Sequence, residues 1–187
     1  MTEVETSNRI ILDAETGTAG IRQLYVELIH LGPYRVLIVC TGNICRSPMA
    51  EGLLKAGLSP RLMEKVTVAS AGTHAVHGNL PSAFAVQALQ AWGVDIAAHR
   101  ARMLTKPMVK QSDLVLAMEK AHLTYIRFMP LFKMKKIRRI SEFDETRAPY
   151  DIPDPIGGDL GMYRSTAQLL KICVKGVCAY LENSLET

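Results

Sequence analysis

The strongest constraint on the fold lies in residues 36–51, which read Val-Leu-Ile-Val-Cys-Thr-Gly-Asn-Ile-Cys-Arg-Ser-Pro-Met-Ala-Glu. The unbroken apolar run Val36–Val39, mostly β-branched, predicts a buried strand. It ends at Cys40. Arg46 follows after a short loop, and Ser47 and Pro48 then suit the N-cap and first position of a helix. A thiol and a guanidinium therefore flank a tight turn between a strand and a helix N-terminus. Successive backbone N–H groups in such a turn form an anion-binding nest, and the helix dipole adds positive potential. That environment favours thiolate at Cys40. It also favours a bound dianion such as a phosphoryl group, which Arg46 can grip bidentately.

The rest of the chain alternates strand and helix. Pro48 to about Leu58 reads as a helix with Met49, Leu53 and Ala56 on one face, and Val66–Ser70 as a short strand. Ser82 to Trp92 reads as a helix closed by Gly93. Thr105 suits the cap of a short helix over Lys106–Gln111. Leu114–Met118 and Ile137–Ile140 read as strands, with a helix over Glu119–Met129 that stops at Pro130. Residues 144–161 hold three prolines and three glycines and predict a long loop, a kind that is often functional. The last helix runs from Asp159 to about Asn183, with Tyr163, Ala167, Leu170, Val174, Val177 and Leu181 as its apolar stripe. This alternation implies an α/β fold: a single-domain three-layer sandwich with a four-stranded parallel sheet and helices on both faces. Ligands of such sheets bind at the carboxyl ends of strands, where Cys40 sits. Residues 1–34 form an N-terminal extension whose Ile21, Leu24, Tyr25, Leu28 and Leu31 predict an additional amphipathic helix.

Composition narrows the function classes. With 187 residues, 48% of them hydrophobic, the chain can bury a real core and is not a disordered segment. The formal charge of +4 fits anionic substrates. The basic cluster Lys133, Lys135, Lys136, Arg138 and Arg139 carries no interleaved aromatic residues, so it reads as a solvated edge and no nucleic-acid partner is expected. No run approaches the roughly 18 apolar residues of a membrane span. The N-terminus is acidic and lacks the apolar core of a signal peptide, so a cytoplasmic location is expected. Cys173 and Cys178 lie about 140° apart around a helix and are not placed to bridge. No spacing of Cys and His resembles a zinc site, and neither metal nor cofactor is expected.

Taken together, Cys40-Thr41-Gly42-Asn43-Ile44-Cys45-Arg46-Ser47-Pro48 resembles the phosphate loop of the low-molecular-weight protein tyrosine phosphatases. Ser70-Ala71-Gly72-Thr73, His99-Arg100-Ala101-Arg102, Asp113–Met118 and Asp154-Pro155 occur in the order used by the bacterial branch of that family. A Cys-(x)5-Arg spacing alone would be a weak signal; the nine-residue loop with a distant Asp-Pro is a specific one. The resemblance covers residues 35–187, which would form the phosphatase domain, monomeric or weakly dimeric. It implies a phosphorylated protein as partner, a bacterial tyrosine kinase among the candidates.

The chemistry such a site needs can be assigned residue by residue. Phosphomonoester hydrolysis requires a nucleophile, charge stabilisation on three oxygens and a proton for the leaving group. Cys40 is the candidate nucleophile, forming a thiophosphate intermediate. Arg46 and the amides of Thr41, Gly42, Asn43, Ile44 and Cys45 would hold the oxygens. Asn43 suits a left-handed backbone position. The resemblance implies that Asn43 braces the loop and that Cys45 can form a protective disulfide with oxidised Cys40. Ser47 can donate to the Cys40 sulfur. Composition leaves Asp144, Glu145, Asp151, Asp154 and Asp159 open as general acid; the resemblance chooses Asp154, restrained by Pro155. His74 and His99 match positions near the family's site, with structural hydrogen bonding as their expected role.

Two positions bear on substrate choice. Where the family commonly carries an aromatic wall after Asp-Pro, this chain has Ile156-Gly157-Gly158, an acid loop similar to that of the bacterial protein-arginine phosphatases. That branch resembles a loop with threonine where Ile44 stands. The leading expectation is a phosphotyrosine phosphatase, with a phosphoarginine phosphatase as the alternative. An arsenate reductase would need further cysteines on a mobile segment, and residues 79–112 contain none. A silent phosphate-binding regulator would be expected to lack the nucleophile or the acid, and this chain keeps both.

Overall fold

A computed structural model describes residues 32–129 and 137–185. Four strands, β1 (Tyr34–Cys40), β2 (Val66–Gly72), β3 (Leu114–Ala117) and β4 (Ile137–Arg139), pair in parallel in the order β2-β1-β3-β4. Val36 of β1 lies opposite both Val68 and Leu114. Alternate side chains of this central strand enter different cores. Val36 and Ile38 face one cluster, Leu37 and Val39 the other, which is why the run is apolar throughout rather than alternating.

Helices cover both faces. Helix α1 (Arg46–Gly57), α2 (Pro60–Lys65), α3 (Ala83–Gln90) and the long α6 (Leu160–Leu185) bury Met49, Leu54, Leu62, Leu89, Leu170 and Val177 on the first face. Helix α4 (Lys106–Gln111) and α5 (Lys120–Arg127) bury Val109, Leu123 and Ile126 on the second. The three-layer sandwich and its parallel sheet are as expected. From β1 the chain passes to β2 on one side and then crosses to β3 on the other. The crevice at the carboxyl ends of β1 and β3 is thus the switch point of the sheet, where such folds take their ligands.

Several local expectations need correction. Helix α1 starts at Arg46, with Cys45 at its N-cap and no side-chain cap. Ser47 is therefore not the cap and Pro48 not the first residue, because the Ser47 hydroxyl is committed elsewhere. Pro48 is tolerated since its missing N–H falls in the unpaired first turn. The expected Ser-Pro start occurs instead at Ser59-Pro60, where Ser59 accepts from the Leu62 N–H at 3.4 Å and opens α2, a helix the hydrophobic pattern did not predict. Ala56 is exposed; Leu54 fills the core position instead. Strand β4 stops at Arg139 and continues as a 3-10 turn, Ile140–Phe143. Arg138 and Arg139 are ion-paired with Glu142 at 3.1 Å and Asp151 at 3.3 Å. Lys133, Lys135, Lys136 and the predicted helix around Leu24 and Leu28 lie outside the described residues. All four cysteines are free thiols.

Candidate active site

The Cys40–Arg46 loop closes over the carboxyl end of β1. Asn43 has φ +55°, the left-handed geometry expected of it. Its side chain ties three segments together: Nδ2 donates to Ser47 Oγ and Ser70 Oγ, each at 2.9 Å, and Oδ1 accepts from the Arg102 N–H at 2.9 Å. The loop carbonyls are held from outside. Cys40 O accepts from Thr73 N, Thr41 O from His74 N, Ile44 O from Ser82 N, and Asn43 O from His99 Nε2, at 2.8–2.9 Å. Four loop carbonyls are thus committed to the surrounding structure, and the loop amides other than Asn43 N–H, which meets Cys40 Sγ, are the groups left for an anion.

Cys40 Sγ is buried and lies 2.9 Å from Ser47 Oγ and 3.2 Å from the Asn43 N–H. Burial pushes the thiol above its ordinary range, against the opposing pull of the Ser47 and Asn43 hydrogen bonds and the Arg46 charge. Arg46 is held from two sides. Its Nη1 is ion-paired with Glu119 Oε1 and also donates to Ile152 O at 3.0 Å, while Nη2 is ion-paired with Asp154 Oδ2. Arg46 Nε is buried with no hydrogen-bond partner among the described residues.

The long loop after β4 brings in one of these carboxylates. Asp144 anchors its base, accepting from Thr146, Arg147 and Tyr150, and those bonds, Thr146 first, hold its carboxyl well below the usual range. Ser141 clasps the Tyr150 backbone, and Asp151 accepts from the Lys120 N–H at 3.0 Å. Ile152 N donates to Met118 O at 2.9 Å, joining the loop to the end of β3. Asp159 Oδ1 takes the Met162 N–H at 2.9 Å and starts α6. Asp154 is the loop aspartate left to reach Arg46. Cys45 is buried, its sulfur 3.4 Å from the Tyr163 hydroxyl. His74 is exposed; its ring meets Thr73 Oγ1 and Tyr125, and its contact with the loop is through its backbone N–H. Glu119 and His122 were not anticipated. Their signal was a carboxylate directly after β3 at the ligand edge of the sheet, with a histidine one turn further on.

Gly72, at the end of β2, lets the loop approach. A Cβ there would lie 2.9 Å from Ala75 Cβ, 3.0 Å from Asn43 N and closer still to the Thr41 carbonyl oxygen. Backbone atoms cannot yield as a side chain does, so Gly72→Ala is expected to displace the loop and lower kcat/KM by roughly tenfold or more, since about an ångström of misplacement matters at a reacting centre. Kinetics on an aryl phosphate, beside a melting curve to separate local from global damage, checks this.

Residues 35–186 match the model of the family described as low molecular weight phosphotyrosine protein phosphatase. The chain is 34% identical over 146 residues to the probable low molecular weight protein-tyrosine-phosphatase EpsP of Ralstonia nicotianae, covering 78% of this chain and 92% of that one. It is 38% identical over 152 residues to a protein-arginine-phosphatase of Geobacillus stearothermophilus, covering 80% and 97%. Among solved structures, the low molecular weight protein tyrosine phosphatase of T. tengcongensis superimposes with a TM-score of 0.72 at 39% identity, over 79% of this chain and 99% of that one. Among the described residues no helix is long and apolar enough to cross a membrane. The family model over residues 35–186 and relatives of 34–38% identity covered almost end to end lead to one conclusion: this chain belongs to the low molecular weight protein tyrosine phosphatase family of phosphoric monoester hydrolases.

Proposed function

We propose that residues 35–187 form a phosphatase domain that hydrolyses phosphotyrosine in proteins, with residues 1–34 as an added extension. Cys40 loses its thiol proton to solvent and attacks phosphorus as the thiolate, forming a cysteinyl-phosphate as the P–O bond to the tyrosine breaks. Arg46 and the amides from Thr41 to Arg46 hold the three phosphoryl oxygens. Asp154 protonates the departing oxygen, then takes a proton from the water that attacks the intermediate. Ser47 stabilises the sulfur as attacking and leaving group. Cys45 serves as a reserve thiol that can bridge to Cys40 after oxidation. The observation that carries this reading is a buried, unpaired N–H of a charged guanidinium, Arg46 Nε, on the same tight loop as the Cys40 sulfur. An anion with several oxygens satisfies that donor and the loop amides together.

Asp154 has a second role in this scheme. It rests on Arg46 Nη2, so an incoming phosphoryl oxygen that takes Nη2 frees the carboxyl at the place where the leaving group emerges.

Phosphoarginine is the alternative substrate, because the arginine phosphatase of Geobacillus stearothermophilus is a relative of comparable identity and Ile156 stands exposed without an aromatic wall. Ile44, inside the loop, favours phosphotyrosine. It crowds the space beside the phosphorus-linked atom and offers no hydrogen bond to a guanidine. Peptides bearing phosphotyrosine, phosphoserine and phosphoarginine, assayed side by side, test the reading. Phosphotyrosine is expected to give the highest kcat/KM. Ile44→Thr is expected to shift the ratio toward phosphoarginine by roughly tenfold, about 1.4 kcal/mol of transition-state energy. A wild-type ratio that already favours phosphoarginine overturns the assignment.

A further inference from the structure

His122 is 4% exposed, and its ring is not part of the reaction scheme above. Its Nε2 lies 3.0 Å from Thr41 Oγ1, and its Nδ1 is buried with no hydrogen-bond partner among the described residues. Thr41 itself is exposed at the mouth of the loop, and its Oγ1 is also 3.4 Å from Arg46 Nη2. An arginine nitrogen can only donate. The direction of the His122 bond therefore decides what the Thr41 hydroxyl does with its single proton.

Two neutral tautomers are available to the ring. If Nδ1 carried the proton, a buried N–H would be left without an acceptor, the rarer and more costly kind of orphan. If Nε2 carries it, the orphan is a bare acceptor nitrogen and Nε2–H donates to Thr41 Oγ1. Burial lowers the affinity of His122 for a second proton, aided by Arg46 and opposed by Glu119, Asp154 and Asp151, so the ring has one N–H to give. Both lone pairs of Thr41 Oγ1 then receive N–H groups, one from His122 and one from Arg46. The hydroxyl proton must point away from both. It is left to meet a ligand at the exposed face of the loop.

We propose that the Thr41 side chain donates a hydrogen bond to a phosphoryl oxygen of the bound substrate, on the side where Asp154 sits, with His122 as the positioning residue that aims the hydroxyl. The placement follows from Arg46 Nη2, which is shared by Thr41 Oγ1 and Asp154 Oδ2. The donor is charge-assisted because its acceptor is an anion. The role goes beyond the backbone amide of Thr41, and it rests on the hydrolase reading.

The test uses the full chain, para-nitrophenyl phosphate as substrate and inorganic phosphate as competitive inhibitor. Thr41→Val keeps the shape and removes the hydroxyl. It is expected to weaken phosphate binding and lower kcat/KM, each by roughly tenfold, a typical loss for a hydrogen bond to a charged group. Thr41→Ser is expected to recover most of both. His122→Phe is expected to reproduce the Thr41→Val loss, and the double variant to be no worse than Thr41→Val alone, because the ring acts only through the hydroxyl. His122→Gln, which keeps an N–H donor, serves if the phenylalanine variant does not fold, and it should lie closer to wild type than Thr41→Val. Thr41→Val within twofold of wild type overturns the inference while leaving the hydrolase reading intact. Losses that multiply in the double variant, or a His122→Gln loss as large as that of Thr41→Val, overturn the role of His122. A wild-type chain that turns over no phosphoester overturns the hydrolase reading itself.

Discussion

Cys40→Ser is expected to abolish turnover while sparing phosphate binding, with kcat falling on the order of 10⁴-fold to 10⁶-fold, as when other covalent enzymes lose their nucleophile. A serine hydroxyl fits the space of the thiol and can keep the contacts with Ser47 and the Asn43 N–H, so the loop need not move. It lacks the acidity and nucleophilicity of sulfur, and among the described residues its hydrogen-bond partners, Ser47 Oγ and the Asn43 N–H, supply no general base to compensate. Arg46→Ala provides the contrast. It removes the charge that holds the anion and leaves Glu119 and Asp154 facing each other without their shared cation, so binding and turnover should both be lost. Phosphate affinity by calorimetry separates the two variants. Substantial turnover by Cys40→Ser would exclude a covalent path through this thiol.

The parts of the molecule legible in the sequence are those set by local rules. Val36–Val39 is apolar at every position because both faces of β1 are covered, and that pattern admits few other readings. Asn43 was legible as a left-handed residue because few side chains tolerate that geometry. The stripe from Tyr163 to Leu181 buries every residue named in it. What escaped was set by partners far along the chain. Ser47 looked like a cap, but its hydroxyl is claimed by Cys40 and Asn43, so α1 begins uncapped two residues earlier, at Arg46. The pairing of Arg46 was unreadable for the same reason: Glu119 and Asp154 reach it from positions 73 and 108 residues away. His122 contacts Thr41 across 81 residues. A histidine one turn beyond a carboxylate at the ligand edge of the sheet signals nearness to the site, but it does not name Thr41 as the partner.

Asp154→Asn is expected to slow hydrolysis in proportion to how badly the leaving group needs a proton. For a phenol of pKa near 10, the ordinary value for tyrosine, the loss should be roughly 10²-fold to 10⁴-fold, the usual range for general acid catalysis. For an activated aryl phosphate, whose phenolate departs unaided, the loss should be much smaller, so rate plotted against leaving-group pKa should steepen in the variant. The asparagine keeps the shape and a carbonyl that can still accept from Arg46 Nη2, which limits damage to the loop. Its amide has no proton to transfer. Asp144 and Asp151 of the same loop provide the control, because both are committed to structure. Asp144 takes bonds from Thr146, Arg147 and Tyr150, and Asp151 holds the N-terminus of α5 and Arg139. Asp151→Asn should therefore change rates by a similar factor for every leaving group, as expected of a loop that is held less firmly. Were Asp151→Asn to steepen the plot and Asp154→Asn to leave its slope unchanged, the proton would have to come from Asp151, and the bond between Asp154 and Arg46 would be only a structural tie.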